Sequence, residues 1–537
     1  MKPLSALNRS LFFSILLLAA AAAAIAQPRP SGKSTEAGPI LMNCSAHPDD
    51  EDGATLAYYQ RLKHFTTCSI FYTKGEGGQN ETGPELGRDL GILRTRETLR
   101  ASRILGSKAY FLDFPDFGFS KTARETFNRW RGKDRVLARI VYYIRALKPD
   151  VIITNHDTVT TPPNRQHGNH QAVGITVYEA FDSAASPTYH PEQLKGPVAP
   201  WQVKKLFFRV FRSEPPHRDS VVVLNMEAAD STGTSIEQIA LNALAQHKTQ
   251  GMDKLNLAAV HSRFREHRYY LVRSDRPYPF DSTDLFSGIR PSVRTVALLH
   301  PHVDTIPRPV TQETLPDKAV AAIVARGCTI GLVKTYDNTT EEILRRFPVK
   351  YTLLDSAAVA SGDLDDYSTI VLDLRAYAYR PDLVQNNGRF LEYARHGGNL
   401  VVLYNKTGDW NGKNFAPFPL TLTDERVTEE DAPVTVLEPG NRFFTTPNMI
   451  VKADWGRWVQ ERSLYLPSDD TAKTSAAYHR LLSMSDTGEQ QPPTSLLWAP
   501  CGKGTYTYIA LALYRQIRVM HEGGVRLFLN IISQQRH

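Results

Sequence analysis

Short apolar runs, each followed by an amphipathic stretch long enough for a helix, recur along almost the whole chain, and this alternation limits the fold more than any other feature. Residues 39–45, 67–73, 109–112 and 151–154 read as buried strands. Residues 50–64, 86–105 and 134–147 carry helical spacing, with Leu56, Tyr59 and Leu62 on one side of the first. Strands alternating with helices build a parallel sheet covered on both faces. Right-handed crossovers then wind it doubly. A helix at 172–180, strands at 206–211 and 221–224 and a helix at 235–250 continue the pattern. Pro277, Pro279, Gly288 and Pro291 punctuate a polar stretch, so 276–291 reads as a linker. The alternation resumes at 328–333, 338–346, 349–354, 369–372, 381–395 and 399–404. The expectation is an α/β domain at 38–275 with a doubly wound, mostly parallel sheet, and a second α/β domain at 292–537. Within the second, 407–500 holds more Pro and turn residues and reads as an insertion. A strand at 505–513 and an apolar helix at 520–532 close the chain.

The first 26 residues stand apart. Lys2 and Arg9 precede an apolar run from Leu11 to Ile25, and Ala24-Ile25-Ala26 supplies a small-x-small ending. That is the layout of a cleaved secretory signal. The run is shorter than the ~20 residues a spanning helix needs, and Pro28 and Pro30 stop it from continuing. Export to the periplasm or the exterior is therefore expected, with no integral membrane segment after cleavage. The net charge of +7 over the whole chain is mild. No concentrated basic stripe of the kind that marks nucleic-acid binders is present. Cys44 and Cys68 sit in strand-like apolar runs, where a free buried thiol is the common state. No CxxC pair suggests a thiolate metal site. Oligomeric state is not legible.

The chemistry concentrates at Ala46-His47-Pro48-Asp49-Asp50-Glu51, between a buried strand and a helix. Ligands of open α/β sheets bind beyond the carboxyl ends of strands. His47 and Asp50 stand three apart on a tight turn and can converge on one cation. An imidazole nitrogen and a carboxylate oxygen suit Zn²⁺ or another divalent metal. Asp49 is left free to take a proton from water beside such an ion. Catalytic zinc commonly uses three protein ligands and keeps one open position. The third ligand is sought in His167-Gly168-Asn169-His170, after the strand at 151–154, with His156 as a competitor. The plainer reading is that Asp49, Asp50 and Asp52 merely cap a helix. A second histidine cluster after another strand of the same sheet weighs against it.

The AHPDDE run, the loop Gly75-Glu76-Gly77-Gly78-Gln79-Asn80, Arg94-Thr95-Arg96-Glu97 and His167-Gly168-Asn169-His170 together resemble the LmbE-like, or PIG-L, deacetylase superfamily, over about residues 38–270. The resemblance implies a Rossmann-like fold and zinc-dependent removal of acetyl from N-acetylglucosaminyl compounds. It implies His47, Asp50 and His170 as metal ligands and Asp49 as general base. It implies His167 as the group that stabilises the oxyanion or protonates the leaving amine, and Arg94 near the substrate. Arg94 reads equally well as a helix-surface partner of Glu97. The family often has Asp before its last ligand histidine; Asn169 stands there, which puts the tuning of His167 in question. His247 and Gln250 resemble a helical segment common in the family, with ordinary helix surface as the other reading. The Gly-rich loop reads as a site-lining loop before a phosphate cradle.

Residues 292–537 resemble, more loosely, the class I glutamine-amidotransferase-like superfamily and its ThuA-like relatives, a flavodoxin-like α/β fold. The resemblance rests on Gly331-Leu332-Val333, residues 367–372, Gly397-Gly398-Asn399-Leu400-Val401-Val402 and Gly502-Lys503-Gly504-Thr505. Active members place a nucleophilic Cys after the strand at 399–404, where this chain has Tyr404-Asn405-Lys406. A non-catalytic domain that binds carbohydrate, completes the active-site rim or mediates assembly is expected. The whole chain thus reads as an exported metal-dependent N-deacetylase of an amino sugar or glycan. A glycan-binding protein without catalysis and a metal-dependent amidase for another acyl group are the alternatives.

Overall fold

The structure, a computed structural model, describes residues 30–534 apart from 79, 84, 86, 161–165, 211–220, 301–314, 491 and 493. The expected signal segment lies outside the described residues. After β1 (Gly32–Ala37) come β2 (Ile40–Ser45), β3 (Thr66–Phe71), β4 (Lys108–Phe111), β5 (Val151–Thr154), β6 (Lys205–Arg209), β7 (Val221–Asn225), β8 (Glu266–Ser274) and β9 (Val293–Leu298). Seven of them form one sheet in the order β4-β3-β2-β5-β6-β8-β7. Strands β2 to β6 are mutually parallel along this order, and β8 is antiparallel to both of its neighbours. β2 and β5 are buried along their whole length, as strands covered on both faces must be.

Alternation along β2 divides the core. Met42 and Cys44 pack with the helices Lys133–Leu147 and Gly168–Ser183. Leu41 packs on the other face with Ala101 and Leu105 of Gly87–Leu105 and with Ile236 and Ala240 of Ile236–Leu244. The chain leaves β2 toward β3 and β4 on one side, and β5 leads to β6 on the other. The sheet therefore reverses its winding between β2 and β5, and a crevice opens beyond the carboxyl ends of these two strands.

Two expectations change. The segment 276–291 is packed rather than a free linker: Leu285 and Phe286 are buried with Leu41 and Tyr59, and the Tyr59 hydroxyl donates to Asp284 at 2.9 Å. β9 then pairs antiparallel with β1, and Arg294 reaches the buried Asp150 at 2.8 Å. The second sheet starts only at β10 (Thr329–Val333), followed by β11 (Lys350–Leu353), β12 (Thr369–Leu372), β13 (Asn399–Leu403), β14 (Arg426–Val427), β15 (Val434–Val436), β16 (Ser463–Leu464), β17 (His479–Met484), β18 (Leu496–Cys501) and β19 (Gly504–Ile509). Eight of these form it, in the order β11-β10-β12-β13-β19-β18-β17-β15, and β14 and β16 pair apart from it. The part as far as β19 is parallel and reverses between β10 and β12. The stretch 407–500 is no insertion in the sheet sense, because β15, β17 and β18 extend that sheet antiparallel. All four cysteines are free and buried. Among the described residues no helix is long and apolar enough to cross a membrane.

One buried charge fixes the loop after β2 to the far side of the sheet. Asp52 caps the helix Gly53–Ala57 by accepting from Thr55 N–H at 3.0 Å. Its carboxylate also meets His267 Nδ1 at 2.7 Å and Arg209 Nη1 at 3.3 Å, and the Tyr269 hydroxyl donates to it. Burial opposes the charge, yet Arg209 and His267 hold Asp52 ionised well below the usual carboxylate range. Removing one partner of a buried set leaves the others uncompensated. Asp52→Ala is accordingly expected to cost about 3–5 kcal/mol, read from the midpoint of urea unfolding. An unchanged midpoint would show that this cluster does not hold the loop.

Candidate active site and metal centre

The crevice between β2 and β5 gathers four histidines and two carboxylates. Asp50 Oδ2 lies 3.0 Å from His47 Nδ1, 3.2 Å from His170 Nε2 and 3.8 Å from His156 Nε2. Two overlapping donor sets result, His47 with His167 and His170, and Asp50 with His156 and His170. They differ in what is left to bind a cation. His156 Nε2 accepts from Ala46 N–H at 3.1 Å, so its Nδ1 carries the proton and faces Gln166 Oε1 at 3.1 Å. Both of its nitrogens are engaged, as are those of His47, whose Nδ1 meets Asp50 and whose Nε2 lies 3.1 Å from the Asn169 amide nitrogen. His170 Nε2 is buried and has no hydrogen bond despite its approach to Asp50. A buried imidazole nitrogen and a carboxylate oxygen this close are a donor pair that fits a shared cation.

Electrostatics point the same way. Burial and the neighbouring Asp50 push Asp49 up to about 7, against His247 and Arg94. Burial opposes a charge on His47, yet Asp116 and Asp50 raise it to about 9. The site thus draws positive charge toward itself. His167 is different: burial, then His170 and His47, hold it well below the ordinary imidazole value, so its ring is neutral. Its Nδ1 is buried without a hydrogen bond.

The backbone that presents these groups is specialised. Asp49 sits at φ 85°, a left-handed conformation costing a non-glycine residue roughly 1–2 kcal/mol. Glu51 stabilises it, accepting from Asp49 N–H at 3.0 Å while its other oxygen lies 3.1 Å from His247 Nε2. Gln250 donates to Pro48 O at 2.8 Å. His247 and Gln250 are therefore supports of the 47–51 turn rather than helix surface. His167 caps the helix Gly168–Ser183, and a Cβ on Gly168 would stand 2.2 Å from Thr122 O. Only glycine lets this helix start so close to the 120–122 segment.

Asn169 departs from its expected contact, Arg94 is decided between its two readings, and Asp116 joins the site. The Asn169 side chain bonds elsewhere than to His167: its amide nitrogen is 3.1 Å from His47 Nε2, and its oxygen accepts from the Ser120 and Thr126 hydroxyls. Arg94 is buried, not on the helix surface: its Nη1 donates to Gly75 O at 2.7 Å, and Glu97 instead accepts from Thr249. Asp116, not singled out in the sequence, is buried with Oδ1 3.8 Å from His47 Nε2. Its position just past β4 follows the same carboxyl-end rule as the other site residues.

A cleft of 250 Å³ opens over this centre, lined by His47, Asp49, Arg94, Asp116 and His167 together with Lys406, Arg426 and Tyr465 of the second domain. It adjoins a cavity of 310 Å³ that shares Gly77, Gly78 and Arg515 with it and continues along Tyr336, Asp337 and Tyr514. On the other side of Asp49, Asp50 and His170 lies a chamber of 260 Å³ with Leu105, Ala240, Leu244 and Met252 in its wall.

Residues 42–181 match the PIG-L family, described as GlcNAc-PI de-N-acetylase. The matched segment spans β2 to the helix Gly168–Ser183 and so contains the whole histidine and aspartate constellation. Among solved structures, a conserved protein of Thermus thermophilus is similar at 21% identity, over 45% of this chain and 96% of that one, with a TM-score of 0.29. The N,N'-diacetylchitobiose deacetylase of Pyrococcus horikoshii is similar at 16% identity, over 51% of this chain and 95% of its own, with a TM-score of 0.32. The 4-carboxy-2-hydroxymuconate hydratase of Pseudomonas putida is similar at 15% identity, over 45% and 100%, with a TM-score of 0.32. No curated protein matches the chain.

The PIG-L-like segment packs its Gly-rich loop tightly against the cleft wall. A Cβ on Gly77 would stand 2.4 Å from Gly118 N and 2.8 Å from Asp116 O, both backbone atoms. Gly77→Ala should therefore displace the 116–118 segment and cost about 1–3 kcal/mol, measured by thermal unfolding. A melting curve identical to that of the unaltered protein would show that the two loops are not in this contact.

Proposed function

We propose that the protein is an exported, metal-dependent N-deacylase that removes acetyl from an N-acetylglucosamine-type sugar or glycan. The observation that carries this reading is the pairing of His170 Nε2 with Asp50 Oδ2 beside His47, next to an Asp49 carboxylate facing an open cleft. His47, Asp50 and His170 would hold the ion, zinc being suited to this donor set. When bound, such an ion polarises a carbonyl and makes water acidic enough to attack it. A binding module would need no carboxylate there. The PIG-L match over this segment supports an amide of an amino sugar as substrate, and the N-terminal 26 residues support export.

The chain's own residues divide the proton transfers. Asp49 accepts a proton from the water that attacks the amide carbon. The neutral His167 ring, with Nδ1 unpaired, lines the cleft and would hydrogen-bond the developing oxyanion, while the proton that Asp49 took from water passes to the amine as the C–N bond breaks. Arg94, wrapped by Gly75 and Gly78, anchors the cleft floor beside Asp49. Acetate and the free amino sugar leave.

A second reading, a longer acyl group, is favoured by the chamber lined by Leu105, Ala240, Leu244 and Met252 behind Asp50 and His170. Acetate release from N-acetylglucosamine and chitooligosaccharides, and butyrate release from N-butyrylglucosamine, separate the two. Zinc-dependent acetate release that falls about 10²–10⁴-fold in Asp49→Ala is expected. Turnover unchanged in that variant would sink Asp49 as the base. Release of butyrate alone would transfer the assignment to the longer acyl group.

A further inference from the structure

Where the second domain lines the cleft, the wall is cationic. Lys406, Arg426 and Arg515 face it, and Glu461 is the one carboxylate that domain adds among the lining residues. Arg426 Nη1 donates to Glu461 Oε1 at 2.9 Å and Arg515 Nη1 to Glu461 Oε2 at 2.6 Å, so two guanidinium groups share a single negative charge. The Lys406 ammonium has neither a hydrogen bond nor an ion pair among the described residues. The carboxylates around it are already committed: Asp409 pairs with Arg375 at 2.8 Å, and Glu81 with Lys254 at 2.7 Å. Burial and then Arg375 depress the Lys406 pKa from its ordinary value, as expected of a half-buried cation short of counter-charge.

This wall is built into the site. Lys406 follows β13, so it stands at the carboxyl end of the second sheet's parallel strands, just as His47 does in the first. Arg426 stacks over Phe119 at 4.7 Å, and Phe119 lies 5.5 Å from the His167 ring. The cationic wall therefore begins one aromatic ring away from His167. The segment that carries Glu461 holds its shape against local preference, with Gln460, Glu461 and Tyr465 at φ of 45°, 44° and 49°. Such strain persists where the surroundings enforce it and is concentrated at functional sites. An unpaired, partly desolvated cation beside two arginines is costly unless an anion completes it.

We propose that this wall is an anion subsite: the substrate bears a carboxylate or phosphate that pairs with Lys406, flanked by Arg426 and Arg515, while its acyl-amide lies at Asp49 and His167. The inference rests on the deacylase reading for its substrate class but is testable apart from it. Calorimetric titration of the full chain, with and without Zn²⁺, would compare N-acetylglucosamine with N-acetylmuramic acid, which adds a carboxylate, and with N-acetylglucosamine 6-phosphate. At least one anionic sugar should bind about 10-fold or more tightly than the neutral one, equivalent to 1.4 kcal/mol, and the better of the two identifies the anion. The preference should collapse in Lys406→Met, survive in the surface control Lys413→Met, and fall with added NaCl in the unaltered protein. Equal affinities for neutral and anionic sugars, or a preference untouched by Lys406→Met, would overturn the subsite. Acetate assayed in the same samples reports separately: a preserved preference without acetate release removes the deacylase reading and leaves the anion subsite standing.

Discussion

Between β2 and β5 the crossovers part to opposite sides of the sheet, and everything chemical in the molecule depends on that parting. Polar loop residues at the ends of buried strands are normally forced outward to water. Here those from two adjacent strands meet in one crevice, so His47, Asp49 and Asp50 from one loop face His156, His167 and His170 from the other. The second sheet repeats the device between β10 and β12, and its carboxyl-end residues Tyr336, Asp337 and Lys406 line the adjoining cavities. Two carboxyl-end surfaces thus enclose a single polar cleft.

Holding so many charges in a small volume requires that each be fixed by something outside the crevice. Asp52 ties the loop to β6 and β8 through Arg209 and His267. Glu51 and His247 keep Asp49 in its left-handed conformation, and Gln250 secures Pro48. Lys121 pairs with Asp486 at 2.9 Å and Arg129 with Glu430 at 2.7 Å across the two domains. These ion pairs join the second domain to the first.

Much of this was legible in the sequence because its signals are local. β2 and β5 are unbroken apolar runs, and the AHPDDE and HGNH segments lie directly beyond them. What escaped depends on contacts distant in the chain. β8 holds Glu266, His267, Arg268 and Arg273 and no unbroken apolar run, yet it is paired on both sides and carries His267 and Tyr269, two partners of Asp52. Strands β14, β15 and β16 are only two or three residues long, and Pro500 lies inside β18 next to the Gly502 turn, so turn signals masked them. Asp116 has no motif around it; only the placement of β4 brings it to His47. Lys406, Arg426 and Arg515 are far apart in the chain and become a wall only when the second domain folds. Arg94 was ambiguous because helix spacing with Glu97 suggested a surface pair, whereas the Gly-rich loop folds over it and takes it out of solvent.

The central claim is that one divalent cation sits at the β2–β5 crevice on His47, Asp50 and His170. Anomalous diffraction at the zinc absorption edge, from crystals of the chain grown with Zn²⁺, tests it most directly. One strong peak in contact with those three side chains, with His156 still bound to Ala46 and Gln166, is the expected result. A peak coordinated by His156 in place of His47, or no peak in the crevice at saturating zinc, would contradict it.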